Sequence, residues 1–254
     1  IIAKELTDSM NVDKDDVNYS VLTYAASTKA NAMGPSILDP RSGEILEADI
    51  MWWHNVLGML QEWITVQTGV VRPEARGVRL PDELMGDAMR FVACHEVGHS
   101  LGLRHNMIAS WTFPTDSLRS KTFTDRMNTT SSSIMDYARF NYVAQPEDNI
   151  SPKGLFPRIN DYDKWAIKWG YQYRPDFKDE IDEKKGLMKE TTEILKNNPR
   201  LWFAGEGRDE DPRSQSEDLG DDNVKASDYG IMNLKRIVKK LPEWTYEEGD
   251  MGEN

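Results

Sequence analysis

A single cysteine, Cys94, in 254 residues excludes an internal disulfide framework. Cysteine use alone leaves the compartment open, because a cytosolic protein and a bacterial exported protein relying on its core both fit. No apolar run of roughly 18 residues occurs, so no segment reads as a membrane-spanning helix. Positive charge is in the minority: 31 Lys and Arg against 43 Asp and Glu give a formal charge of −12. A nucleic-acid partner would want a basic face, so that class is excluded. The start, Ile1-Ile2-Ala3-Lys4, is neither a signal peptide nor a disordered tail. It reads as a strand cut into mid-domain, and the chain is expected to be a piece of something longer. There is no internal repeat and no low-complexity tract. What is present is 39% apolar residues with 8 Trp and 12 Met, enough for the core of a soluble globular protein. The length suits one large domain or a domain with a helical appendage.

Residues 17–24 alternate and are rich in β-formers, so they read as a strand. Two extended runs follow, Met33–Leu38 and Glu44–Met51, joined by Asp39-Pro40-Arg41-Ser42-Gly43. Proline and glycine in that joint are turn chemistry and predict a hairpin. Apolar Val56, Leu57, Leu60, Trp63 and Ile64 predict a helix over 52–67, stopped by Gly69. Pro81 and Asp82 open a second helix running to about Gly102. Residues 103–135, rich in Ser and Thr, read as a long irregular loop whose length points to function. Asn160-Asp161 caps a short helix ending at Gly170, and two further helices are expected over 179–197 and 224–241, separated by an acidic loop, 205–223.

The second helix ends in His95-Glu96-Val97-Gly98-His99-Ser100-Leu101-Gly102-Leu103-Arg104-His105. Histidines four apart leave the same helical face one turn apart, so both imidazoles can reach one ion. Glu96 sits beside that face, where a carboxylate can act as general base on water without binding the metal. Gly102 can adopt a left-handed conformation at low cost, ending the helix so that His105 arrives from another direction. Three neutral nitrogen ligands leave coordination positions open, as catalytic zinc requires. With only 4 His and 17 Gly in the chain, requiring Gly102 and His105 as well makes a chance match roughly a thousandfold rarer. The alternative, histidines that merely pack in a core, poorly explains why three of the four fall in one pattern.

This eleven-residue stretch resembles the long zinc signature of the metzincin metallopeptidases. The resemblance implies a methionine-containing turn below the metal, and Ser133-Ile134-Met135-Asp136-Tyr137 looks like it, with Met135 as hydrophobic floor. Tyr137 resembles the tyrosine that in the astacin and serralysin branches ligates zinc or moves to the tetrahedral intermediate; the alternative is a buried tyrosine anchoring the turn. Metzincins also pair the substrate with an edge strand above the active-site helix. Ala32–Leu38 is the candidate for that edge, with Ala32, Met33, Gly34, Pro35 and Ser36 as substrate-binding residues, the alternative being an ordinary outer strand. Residues 34–45, the zinc signature, Ser133 through Asp148 and Glu217-Asp218-Leu219-Gly220 together resemble the large exported zinc-dependent metallopeptidases of Bacteroidota. One departure is that the strand and long backing helix that normally open a metzincin domain do not precede Ile1.

The expected fold is therefore α+β: a metzincin-like catalytic domain over 1–175, with a twisted mixed sheet, an active-site helix and a small irregular or helical lower subdomain, then a helical extension over 176–254. The expected activity is a zinc-dependent endopeptidase with one catalytic Zn2+ held by His95, His99 and His105, acting on protein or peptide, and exported by resemblance. Two rivals are a zinc amidase acting on non-protein or cell-wall amides and an inactive zinc-binding docking domain. Among lesser features, His54 and Cys94 read as packed or solvated residues. Gly98, costly inside a helix by about 1 kcal/mol, calls for close approach by the sheet or the Met-turn. The acids of 205–223 (Glu206, Asp209, Glu210, Asp211, Glu217, Asp218, Asp221, Asp222) raise Ca2+ binding, but no EF-hand spacing appears and a solvated loop is the favoured reading.

Overall fold

Strand-forming residues cluster before position 54 and helix-forming ones after it, and the computed structural model follows that division. It describes residues 2–7, 9–10, 12–206 and 211–249. The strands are β1 (Leu22–Ala25), β2 (Ala32–Met33), β3 (Ile37–Leu38), β4 (Ile45–Glu47) and β5 (Ile50–Trp53). The helices are α1 (Val56–Thr68), α2 (Asp82–Ser100), α3 (Lys121–Met127), α4 (Asp161–Tyr171), α5 (Glu180–Lys196), α6 (Asn223–Ile237) and α7 (Leu241–Trp244). The chain is α+β. One sheet is mixed, in the order β1-β5-β2, with β1 parallel and β2 antiparallel to β5. The other is the β3-β4 hairpin, closed at Asp39–Gly43 by hydrogen bonds from Asp39 N to Glu44 O and from Gly43 N to Asp39 O, with Gly43 at φ +77.

Several expectations are corrected. The strand expected over 17–24 begins only at Leu22, because Asp16 turns the chain first, its carboxylate accepting the backbone N–H of Asn18 at 3.0 Å. Residues 2–7 form no strand and are exposed. The first hairpin arm is split: Ala32 and Met33 leave it to pair with Trp52 and Met51, and only Ile37 and Leu38 pair with β4. Trp52 and Trp53, expected in a helix, belong to β5, where Trp52 is buried and α1 begins three residues later. Within the expected loop 103–135, Ser120 caps α3, accepting the Phe123 N–H, and two 3-10 turns precede it at Ser110–Thr112 and Thr115–Arg119.

The main core forms where Val56, Leu60 and Ile64, a stripe at i, i+4, i+8 of α1, meet Leu84, Ala88, Phe91 and Val92 of α2. Trp52, Met135, Phe140 and Phe156 complete it. Burying each such side chain is worth roughly 1.5–3 kcal/mol, so this packing fixes α2 against the sheet. A second core, built on Phe113, Leu118, Ala138 and Val143, draws Leu219 and Ala226 from the C-terminal segment. α6 is further tied by Asn233 Nδ2, which donates to the carbonyls of Tyr142 and Ala144. α5 has no fully buried residue.

Candidate metal centre

The site is built on the last turn of α2. Leu101 ends the helix, Gly102 takes φ +82, and the chain reverses through the two bonds of a Schellman motif: Gly102 N to His99 O at 2.8 Å and Leu103 N to Gly98 O at 3.0 Å. The reversal brings His105 back against His99, with ring centroids 4.7 Å apart, while His95 lies 4.9 Å from His99 and 5.2 Å from His105.

Each of the three rings has its Nδ1 occupied. His95 Nδ1 meets Ile134 O at 2.8 Å, His99 Nδ1 meets Leu103 O at 2.9 Å, and His105 Nδ1 meets a carboxylate oxygen of Glu206. Carbonyls and carboxylates only accept, so Nδ1 carries the proton in all three and the Nε2 lone pairs are left to bind a ligand. His99 Nε2 and His105 Nε2 face each other at 3.0 Å, and one nitrogen from each histidine falls within 4.8 Å of the others. Two lone pairs at that distance repel unless a cation lies between them. Zinc–nitrogen bonds of about 2.0–2.1 Å at a tetrahedral angle would separate the nitrogens by about 3.3 Å, so the donor set fits zinc. Burial lowers the His95 pKa to about 3 and also lowers that of His99, keeping both rings neutral and able to coordinate.

Glu96 points into the same cleft. Burial lifts its pKa from 4.5 to about 7, partly offset by a hydrogen bond from the backbone N–H of Gly34. Gly34 follows β2, and a Cβ there would stand 2.8 Å from Glu96 O and 3.3 Å from His99 Cβ. Only glycine lets the chain pass so close above α2. β2 is an edge of the mixed sheet, and Gly34, Pro35 and Ser36 line one side of a cavity of about 770 Å³ whose other wall includes His99 and His105. Ala32 borders a second cavity, of about 270 Å³, on the far side of Glu96 and His95. Val56, Met59, Trp63, Phe91 and Val92 wall this second cavity. Arg139, at its edge, forms an ion pair with Glu217 and lies 3.9 Å over the Trp63 ring. The Met33 side chain is exposed.

The turn after Ser133 lies under the helix. Met135 is fully buried, and its sulfur sits where a Cβ on Gly98 would be, 2.3 Å from it, between the turns carrying His95 and His99. The glycine inside α2 is thus explained by the turn rather than by the sheet. Asp163 anchors that turn by accepting from Ser133 Oγ at 2.6 Å, Ile134 N at 2.9 Å and Asn160 N at 2.9 Å. Tyr137 places its ring 4.5 Å from that of His105 and 5.5 Å from that of His95, and burial raises its pKa.

The described acids of the loop are exposed or half-buried, as a solvated loop implies, but they are also partnered. Glu217 pairs with Arg139, Asp218 accepts from Ser110 Oγ at 2.9 Å, Asp221 from Thr115, and Asp222 caps α6. Asp211 pairs with Arg213 and Glu206 with His105. Asp209 and Glu210 lie outside the described residues. Among the described residues, the three histidines are the group of three or more side chains arranged to hold a metal, so the acidic loop forms no calcium-type cluster there. Glu206 had no distinguishing mark in the sequence, being one acid of eight and 101 positions from its partner. His54 meets the Tyr24 hydroxyl, and Cys94 is half-buried against the core, its pKa raised by burial.

An α+β chain with three convergent imidazoles beside a buried carboxyl in an open cleft has the donor set of a zinc metallohydrolase. The profile of a family described as Met-zincin matches residues 77–254, most of the chain, and the chain belongs to that family. The match takes in the three histidines, Met135 and Tyr137, whereas β2 and Gly34 precede it. No curated protein and no solved structure shows a significant match.

Proposed function

We propose that this protein is a zinc-dependent endopeptidase in which Glu96 is the general base. The observation that carries the reading is the three imidazoles converging, each with its Nδ1 occupied, beside the buried carboxyl of Glu96. His95, His99 and His105 would hold a zinc ion, which when bound would supply a Lewis acid able to polarise a carbonyl and acidify water. Glu96 takes the proton from the attacking water at its carboxylate and passes it to the leaving amine. Gly34 N–H orients that carboxylate. Tyr137 donates its phenolic proton as a hydrogen bond to the developing oxyanion, and Met135 underpins the rings through Gly98.

The edge of β2 and the segment through Ser36 bind the substrate backbone antiparallel, as an unpaired strand edge can, which gives affinity with little side-chain selectivity. Selectivity comes from the 270 Å³ cavity beside Glu96 and His95. Away from His95 and Glu96 its walls are largely apolar, and Arg139 at its edge is paired with Glu217, so it accepts a large uncharged side chain just beyond the scissile bond. The open cleft with two flanking cavities favours an extended peptide over a small amide. Membership of a peptidase-type family agrees with a protein substrate. No helix among the described residues is long and apolar enough to cross a membrane.

Glu96→Gln tests the mechanism. The variant should keep zinc and lose peptidase activity by about 10³-fold or more. Zinc-loaded Glu96→Gln that cleaves at the parent rate overturns the assignment. Cleavage of cell-wall amides but not of casein-like proteins would favour the amidase, and a zinc-loaded protein inert to both would favour a docking module.

A further inference from the structure

The Nδ1 partners of His95 and His99 are backbone carbonyls delivered by the zinc motif itself and by the turn below it. His105 differs, because its Nδ1 partner is a side chain brought from 101 residues away. An exposed ion pair between two flexible side chains is ordinarily worth little. Here the backbone that presents the carboxylate is held firmly. Asn106, adjacent to His105 and fully buried, donates from Nδ2 to Trp202 O at 2.9 Å and accepts the Ala204 N–H at 3.0 Å. Met107 N donates to Ala204 O at 2.8 Å, and Ser214 Oγ to Gly205 O at 2.7 Å. Residues 202–206 are therefore laced alongside 105–107.

We propose that Glu206 is a positioning residue for His105. Its carboxylate accepts the Nδ1 proton, which fixes the tautomer and rotation of the ring and makes Nε2 a stronger electron donor toward the metal. The C-terminal segment thus completes the metal centre. A protein lacking Glu206 would present two well-oriented imidazoles and a third free to rotate, since the His105 ring has no other Nδ1 acceptor comparable to Ile134 O or Leu103 O among the described contacts. This inference rests on the zinc reading of the three histidines.

The test is zinc affinity, measured on the metal-free protein by competition with a chromophoric chelator. Four forms are compared: parent, Glu206→Gln, Glu206→Ala and His105→Ala. Removing the carboxylate in Glu206→Ala should weaken zinc binding by about 10- to 100-fold. The amide of Glu206→Gln still accepts the proton but lacks the charge, so its loss should be smaller. The side chain of Glu206 is 61% exposed, so the melting temperature of the metal-free protein should not change. Cobalt-substituted Glu206→Ala should show shifted ligand-field bands, because the donor strength of His105 has changed. Zinc affinity of Glu206→Ala within twofold of the parent overturns the proposal. So does a loss matched by a fall in metal-free stability with an unchanged cobalt spectrum. A Glu206→Gln loss as large as that of His105→Ala would make Glu206 a ligand itself and overturn the positioning role. If His105→Ala leaves zinc affinity untouched, the zinc reading fails instead.

Discussion

Alanine in place of Gly98 sets two effects of opposite sign against each other. In a helix interior, glycine is less favourable than alanine by about 1 kcal/mol, so Gly98→Ala should stabilise α2 if the helix alone mattered. The structure reverses that sign. The new methyl would lie 2.3 Å from Met135 Sδ and 3.3 Å from its Cε. Met135 is fully buried in the core with Ile134, Phe91 and Phe140, so shifting its sulfur disturbs that packing. Overpacking of this kind costs about 1–3 kcal/mol, enough to cancel the helix gain and leave a net loss of up to about 2 kcal/mol. A double-mutant cycle isolates the contact. Met135→Ala alone should lose about 2–5 kcal/mol through the cavity it leaves. In the combined variant, the methyl added by Gly98→Ala enters that space and no longer clashes, so the double variant should be more stable than the sum of the singles by about 1–3 kcal/mol. Urea denaturation of the metal-free proteins measures all four corners. Gly98→Ala that gains about 1 kcal/mol, or a cycle with no coupling, would refute the argument that the turn presses against the helix at Gly98.

Three further outcomes are expected. Because burial raises the Glu96 pKa from 4.5 to about 7, the folded metal-free protein binds that proton more tightly than the unfolded chain, so this group stabilises the fold below about pH 4.5 and loses that contribution as pH rises through about 7. The loss is roughly 3 kcal/mol at most, and Glu96→Gln should flatten the stability profile between those pH values; a Gln variant with the parent's slope there would show that Glu96 is not its source. Asp163→Ala leaves the buried Ile134 and Asn160 N–H groups without their acceptor, at about 1–3 kcal/mol each. It should also weaken zinc binding, since Ile134 O orients His95; calorimetric unfolding with a loss under about 1 kcal/mol would contradict the anchoring role. Profiling of cleavage sites on a peptide library should show large apolar side chains after the scissile bond, and Met59→Trp, which narrows the 270 Å³ cavity, should shift the preference to small ones. A preference for acidic residues there would mean that substrate displaces Glu217 from Arg139.

Local chemistry in the sequence was enough to place α2, its stop at Gly102 and the convergence of three histidines, because helical spacing and one left-handed glycine act over a single turn or two. The same locality made the hairpin turn at Asp39–Gly43 and the capping of α4 by Asn160 legible. The odd position of Gly98 could be read as a demand for close approach, but not what approaches, since Met135 reaches it only after the chain has returned beneath the helix. Ala32 and Met33 look like hairpin residues from their neighbours, yet pairing with β5 wins, with Ala32 buried in the core beside Trp52. The acids of the last third of the chain carry no local mark of their partners. Glu206, Glu217 and Asp218 find His105, Arg139 and Ser110 only through tertiary contacts such as the shared core of Leu219 and Ala226 with Phe113 and Val143. The sequence by itself determined the three candidate metal ligands, because residue identity and helical spacing suffice to bring them together. Only the tertiary structure decided which carboxylates meet the histidines, which sheet edge lies above them and which cavities flank them, because each depends on distant residues meeting in one cleft.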